Sequence, residues 1–228
     1  LEINNLVEKI LVIDNSPNNY LRNKLITFNK VIYHYVRRNI GFSKGHNISK
    51  KYLIDQKYHL ILNPDIILDE KDLIKNLIDY LDLNSDVSMV QPQIIGYYDN
   101  KIQYLCKRNP TLLVQILRGF FSKFINNISI FYNYNYRYEM RDLAYLNEPI
   151  QSTYLSGSFM LCKTDSLNKV GWFDERYFMY LEDADLTRKI SKIGKCIHNP
   201  AYSVKHVWEK GSHKDIILRF HAFFSFVK

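Results

Sequence analysis

Apolar positions in the first half of the chain switch between two periods. KILVID (9–14) and HLIL (59–62) are short apolar runs that close on polar turns, NSPNN and NPD, and VIYHYV (31–36) is β-branched and aromatic. All three predict strands. Between the second and third, GHNISKKYLIDQKY places Ile48, Tyr52 and the Leu53/Ile54 pair at near-helical spacing. LDEKDLIKNLIDYLD predicts the clearest helix: Asp69 stands as N-cap, and Leu73, Ile74, Leu77, Ile78 and Leu81 share one apolar face. Strands alternating with helices of this length imply an α/β domain, a mostly parallel central sheet flanked by helices. In such sheets ligands sit beyond the carboxyl ends of the strands, so the loops after residues 14, 36 and 62 are the places to search.

The second half is less regular. TYLSGSFMLCK (153–163) reads as a strand, with Gly157 where a ligand or a backbone can approach closely. Leu186, Ile190 and Ile193 mark the apolar side of a helix starting near Leu181, which Gly194 can end. VKHVWEKGSHK (204–214) reads as a strand running into a polar loop.

Composition narrows the class without choosing a function. At 228 residues, with 24% charged and 46% hydrophobic residues, the chain has the profile of a globular protein with a substantial core. Cys106, Cys162 and Cys196 are odd in number and widely spaced, which reads as free thiols in a reducing compartment. No apolar run approaches a membrane span and no signal peptide is visible at the start, so a cytoplasmic location is expected. The formal charge of +8 favours an anionic partner. Its basic residues are scattered and form no recognisable nucleic-acid module, so nucleic acid ranks last.

Several residues carry chemistry. Asp14 and Asn15 follow the first strand, where a carboxylate can accept from a nucleobase N–H or simply close an Asx turn. RNIGFSKGHN (38–47) offers Gly41 and Gly45 for close backbone approach to a phosphate or sugar, without the spacing of a phosphate-binding loop. In LNPDIIL (62–68), Asp65 lies at the sheet's carboxyl edge as a hard-oxygen ligand or as a turn residue, with Asn63 beside it. His206 gains meaning only if the fold brings it to Asp65. YFMYLEDADLTRKI (177–190) gathers Glu182, Asp183 and Asp185 between an aromatic run and a basic helix. Successive helical residues are about 100° apart, so Asp183 and Asp185 point roughly 200° apart. Asp185 suits an ion pair with Lys189, and Asp183 can face a cleft as a general base.

In order and spacing, VIDNSPNN (12–19), NIGFSKGHN (39–47), LILNPDIIL (60–68), SGSFMLCK (156–163), VGWFDERYFMYLEDADLTRKI (170–190) and HVWEKGS (206–212) resemble the bacterial family 2 glycosyltransferases of GT-A fold, in particular the rhamnosyltransferase-like branch. The resemblance implies a single domain, with a nucleotide-sugar half over 1–96 and an acceptor and catalytic half over 97–228. It implies that Asp14 contacts the base of a nucleotide-diphosphate sugar, and that Asn39, Gly41, Phe42, Gly45 and Asn47 line the donor pocket. Asp65 takes the last position of the family's DxD element, holding Mg²⁺ or Mn²⁺ on the diphosphate, with Asn63 in the first position and His206 as a second metal ligand. Asp183 becomes the base of an inverting transfer, with Gly157, Trp172 and Glu182 on the acceptor side. The sugar best matching the branch is L-rhamnose from dTDP-rhamnose. A UDP-sugar hexosyl or galactofuranosyl transferase and a non-catalytic nucleotide-sugar-binding subunit stand as alternatives.

Two further expectations follow. The family opens with a VxVxxxN strand, and the chain begins just upstream of what should be the second strand, so the first strand is expected to be missing. PTLLVQILRGFFSKFINN (110–127) and the carboxyl-terminal IILRFHAFFSFVK mix aromatic and basic residues. Such segments can lie on an anionic membrane surface, where a polyprenyl-linked glycan acceptor would sit, or pack on the domain itself.

Overall fold

The computed structural model describes residues 5–52, 55–111, 113–114, 117–118, 128–143 and 147–207. Its elements run β1 (Ile10–Asp14), α1 (Arg22–Leu25), β2 (Val31–Tyr35), α2 (Phe42–Asn47), a 3₁₀ turn (Ile48–Tyr52), β3 (Tyr58–Leu62), β4 (Ile66–Ile67), α3 (Leu73–Leu83), β5 (Val87–Gly96), α4 (Ser129–Tyr138), β6 (Ile150–Gln151), β7 (Phe159–Lys163), α5 (Thr164–Val170), α6 (Glu182–Ile190) and β8 (Lys195–His206). Strands β1 and β2 form a parallel pair of their own, in register from Ile10–Val31 to Asp14–Tyr35. The larger sheet has the order β3-β7-β5-β8-β4, with β6 also on β8. Strands β5 and β8 are parallel, and β3 runs the same way because the reversed strand β7 pairs antiparallel with both β3 and β5. The two-residue strands β4 and β6 lie antiparallel to β8.

Helices cover both faces of this sheet, and the two-residue side-chain period of the strands explains why both faces are apolar. Along β7, Phe159 and Leu161 pack towards α3 with Leu73, Ile74, Leu77 and Leu81. Met160 and Cys162 point the other way, onto Leu167 of α5 and Leu186 and Ile190 of α6. Strand β8 divides likewise, with Cys196 on one side and Ile197 on the other. Each fully buried side chain of this size contributes about 1.5–3 kcal/mol. The three cysteines are all buried and unpaired by disulfides. No helix among the described residues is long and apolar enough to cross a membrane.

Local departures from the sequence pattern have physical causes. Helix α3 begins at Leu73, not after Asp69, whose carboxylate pairs with Lys205 at 2.9 Å. Helix α6 ends at Ile190, leaving Ile193 47% exposed in the following turn. Of 153–163 only Phe159–Lys163 extends as a strand, with Tyr154 in an isolated bridge to Lys107 and a turn at 157–158, while β8 starts at Lys195, nine residues before its expected beginning. Strand β5 carries Pro92, and a shift in its pairing with β8 falls between Pro92 and Gln93. Leu53 and Ile54, most of the amphipathic stretch 110–127, and everything from Trp208 onward lie outside the described residues.

Candidate active site

Most candidate residues lie in the loops at the strand ends. Strands β1, β2, β3 and β8 end there, and the reversed β7 begins there, so Asp14, Asn39, Asp65, His206 and Gly157 are brought to the same rim.

Asp65 and His206 meet although 141 residues separate them in sequence. Short strand β4 pairs Ile66 with His206, and the Val207 amide donates to the Asp65 carbonyl at 2.9 Å, which fixes the backbones side by side. Nε2 of His206 then lies 3.1 Å from Oδ2 of Asp65. Burial raises the Asp65 pKa, but the imidazole beside it outweighs that and leaves it below the ordinary value. Its other oxygen, Oδ1, is buried with no hydrogen-bond partner, an unusual expense for a carboxylate unless a ligand completes it. Asn63, Pro64, Asp65 and Val207 line an open cleft at this point. One carboxylate and one imidazole suit Mg²⁺ or Mn²⁺, with substrate oxygens and water filling the remaining positions. Among the described residues no group of three or more His, Cys, Asp or Glu side chains gathers for a metal, so these two would hold it with help from the ligand.

Asp183 sits in the first turn of α6, where an acid is favoured by the amide dipoles. The two residues before this helix, Tyr180 and Leu181, adopt left-handed backbone conformations, φ 70° and 68°, a local strain of the sort retained at functional positions. The Gly157 amide donates to Asp183 Oδ2 at 3.0 Å, and the Ala184 amide to Oδ1 at 2.9 Å. The turn bearing Gly157 is itself held. Buried Gln91 donates to the carbonyls of Ser156 and Phe159 at 2.7 and 2.8 Å, and the Leu155 amide donates to Thr187 Oγ1. Burial pushes the Asp183 pKa up, opposed by the Gly157 amide, the Lys107 charge and the Tyr154 hydroxyl. Glu182 is 6% exposed, its Oε2 has no hydrogen-bond partner, and burial followed by the Asp183 charge drives its pKa up as well. Asp185 faces away and pairs with Lys189 at 3.4 Å and Arg188 at 3.6 Å, as its helical position predicts.

The glycine segment joins these regions. Gly41 has φ 87°, and a Cβ there would lie 2.4 Å from the Phe178 carbonyl oxygen. Phe42 donates its amide to that same carbonyl and sets its ring against Gly157, where a Cβ would lie 3.1 Å from Cζ of Phe42 and 3.4 Å from Cβ of Asp183. Asn39 caps the Gly41 amide at 2.9 Å, and Gly45 lies against Asn15. Asp14 accepts from the Ser16 amide and hydroxyl and from the Tyr33 hydroxyl; burial raises its pKa, but these bonds outweigh that and leave it low.

Two expected residues are spent on packing. Asn47 donates to the Phe173 carbonyl at 2.9 Å and to Glu175 at 3.0 Å, and accepts from the Phe173 amide at 3.2 Å. Trp172 is 2% exposed, with its indole N–H on Asn168 and its ring edge-on to His59. Sequence reasoning missed Tyr154 and Lys107, which stand next to the Asp183 carboxylate. The half-buried Lys107 ammonium lies 4.9 Å over the Tyr154 ring and is pushed down to about 8 by desolvation and then by Arg118. Lys107 lies in none of the segments singled out from the sequence, and Tyr154 lies in TYLSGSFMLCK, where only Gly157 drew notice.

No protein-family model matches the chain. Among solved structures, GalNAc-T7 with UDP, GalNAc and Mn²⁺ superposes with a TM-score of 0.59 at 15% identity, covering 90% of this chain and 39% of that one. The mannosyltransferase PcManGT from Pyrobaculum calidifontis, in complex with GDP-Man and Mn²⁺, gives 0.59 at 14% identity over 92% and 51%. The fold is the GT-A fold of glycosyltransferases. In sequence the chain is 29% identical over 177 residues to rhamnosyltransferase WbbL of Escherichia coli (strain K12), covering 73% of this chain and 60% of that protein. A 54-residue stretch is 44% identical to the N-acetylglucosaminyl-diphospho-decaprenol L-rhamnosyltransferase of Mycobacterium tuberculosis (strain ATCC 25618 / H37Rv), covering 23% of this chain and 18% of that enzyme. The resemblance to rhamnosyltransferase-like family 2 glycosyltransferases is borne out, with the chain spanning 60% of WbbL's length.

Proposed function

We propose that this chain transfers a sugar, L-rhamnose from dTDP-rhamnose as first choice, from a nucleotide-diphosphate donor to a glycan or polyprenyl-linked acceptor. The observation that carries the reading is the Asp65–His206 pair at 3.1 Å, with Oδ1 of Asp65 buried and partnerless at the rim of a GT-A sheet. Asp65 and His206 would hold Mg²⁺ or Mn²⁺, which when bound neutralises charge on the diphosphate. Asn39, Gly41 and Phe42 border the donor, and Asp14 has a carboxylate lone pair left for the base. Asp183 removes the proton from the acceptor hydroxyl as that oxygen attacks the anomeric carbon, the C–O bond to the nucleoside diphosphate breaks, and the configuration inverts. The Gly157 amide orients the accepting carboxylate, and Glu182 supports the acceptor side. Basic and aromatic segments at 110–127 and 216–228 would bring the protein to the cytoplasmic membrane face where lipid-linked acceptors reside.

Calorimetric titration of dTDP-rhamnose, UDP-glucose and UDP-galactose, with Mn²⁺ and then with EDTA, tests the reading. Metal-dependent binding of one donor supports it and names the sugar. Binding without turnover would favour a non-catalytic subunit, and no binding by any donor overturns both.

A further inference from the structure

After β5 the chain makes a tight reversal. The Asn100 amide donates to the Gly96 carbonyl at 3.0 Å and the Gly96 amide to the Lys101 carbonyl at 2.8 Å. A Cβ on Gly96 would lie 2.2 Å from Oδ1 of Asp99, so that exposed side chain would have to turn aside for any larger residue. The returning strand pairs Ile102 with Ile95, and the Gln103 amide donates to the Ile94 carbonyl at 2.8 Å. Because Gly96 is in register with His206 on β8, this hairpin delivers the Gln103 side chain to the imidazole. Oε1 of Gln103 lies 2.7 Å from Nδ1 of His206.

We propose that Gln103 is a positioning residue for the cation site formed by Asp65 and His206. The inference rests on the metal reading given above. An amide oxygen facing Nδ1 is satisfied by an N–H at that nitrogen. The ring is thereby held with Nε2 towards Oδ2 of Asp65 at 3.1 Å. Two acceptor atoms facing each other need a shared proton or a cation between their lone pairs, and the partnerless Oδ1 of Asp65 adds a third donor to the same side. Imidazole ligands are commonly oriented by a hydrogen bond at the other ring nitrogen, and removing such a partner costs roughly 10–100-fold in metal affinity.

The test titrates Mn²⁺ into the full chain, alone and with dTDP or UDP present, following the free-ion EPR signal. Gln103→Ala is expected to weaken Mn²⁺ binding roughly 10–100-fold, while Gln103→Glu, which still accepts from Nδ1–H, stays within a few-fold of wild type. Histidine ¹⁵N–¹H correlation spectra of the metal-free protein supply a second readout. Wild type is expected to carry a proton on Nδ1 of His206, and Gln103→Ala to lose that preference with an unchanged thermal melt. Wild-type Mn²⁺ affinity in Gln103→Ala overturns this proposal and leaves the metal site standing. No Mn²⁺ binding by the wild-type chain, with or without nucleotide, overturns both.

Discussion

The backbone N–H of Gly157 donates to Oδ2 of Asp183 at 3.0 Å, while the ring of Phe42 rests against the same glycine. One residue without a side chain therefore joins the proposed donor loop to the proposed base. Asp183 keeps a fixed orientation because its partner is backbone, which cannot rotate away, and because Gln91 and Thr187 pin the turn that supplies it.

Asp183→Asn preserves the shape and the Gly157 contact but removes the proton acceptor. Transfer is expected to fall by roughly 10²–10⁴-fold, the usual worth of a general base, with donor affinity unchanged by calorimetry. Turnover at the wild-type rate would show that another group takes the proton.

Gly157→Ala places a methyl 3.1 Å from Phe42 Cζ and 3.4 Å from Asp183 Cβ. The ring end can move by a few tenths of an ångström, so the protein should fold with a melting temperature close to wild type. The cost is expected in catalysis, about tenfold or more in kcat, because small misplacements of reacting groups are expensive. Gly41→Ala should behave oppositely. Its φ of 87° is a glycine conformation, and the new Cβ meets a backbone oxygen at 2.4 Å. A loss of about 1–3 kcal/mol from the conformation alone lowers the melting temperature by roughly 2–4 °C per kcal/mol. A Gly41→Ala protein with unchanged melting and activity would contradict the close approach to Phe178.

The parts of this design visible in the sequence are those encoded locally. The strands ending at Asp14, Tyr35 and Leu62 and the apolar face of α3 follow from periodicity, and the Asp183/Asp185 division follows from helix geometry. What spacing cannot carry is the pairing that brings Asp65 to His206, since β4 has only two residues. Gln103 was equally hidden, because its position depends on a hairpin and on the β5–β8 register across a proline-shifted strand. Trp172 and Asn47 mislead for the converse reason: their neighbours in sequence line the site, while their own side chains fill the interior.

Glu139 is 7% exposed and holds Arg118 and Arg141 on its two oxygens, each at 2.6 Å. Glu139→Gln leaves both guanidinium groups short of a counter-charge. The expected loss is about 2–3 kcal/mol, below the ~3–5 kcal/mol of a fully buried pair, because Arg118 and Arg141 remain 34% and 27% exposed. Burial raises the Glu139 pKa, but the arginines outweigh it and hold it low. The stabilisation is thus present above the unfolded carboxylate range and lost as pH falls through the folded value. Urea midpoints at pH 7 and pH 4 should show the deficit of Glu139→Gln shrinking in acid; a constant deficit would assign the effect to packing.

Glu182 carries the opposite sign. Burial, then the adjacent Asp183 charge, lifts its pKa, so the fold favours its neutral form, and that advantage is lost as pH rises through the folded value. Glu182→Gln, which is neutral throughout, should melt near wild type at pH 5 and increasingly above it towards pH 9. The same ordering constrains catalysis. With Asp183 as the proposed base, its charge is one of the causes that hold the proton on Glu182, and its own burial predicts an acid limb of kcat/KM above the ordinary aspartate range. Replacing Glu182 by Gln leaves that limb where it was, since Glu182 is already uncharged when Asp183 titrates. An acid limb moved down by a full pH unit in Glu182→Gln would mean that Glu182 ionises before Asp183, and the assignment of the base between these neighbours would then have to be reversed.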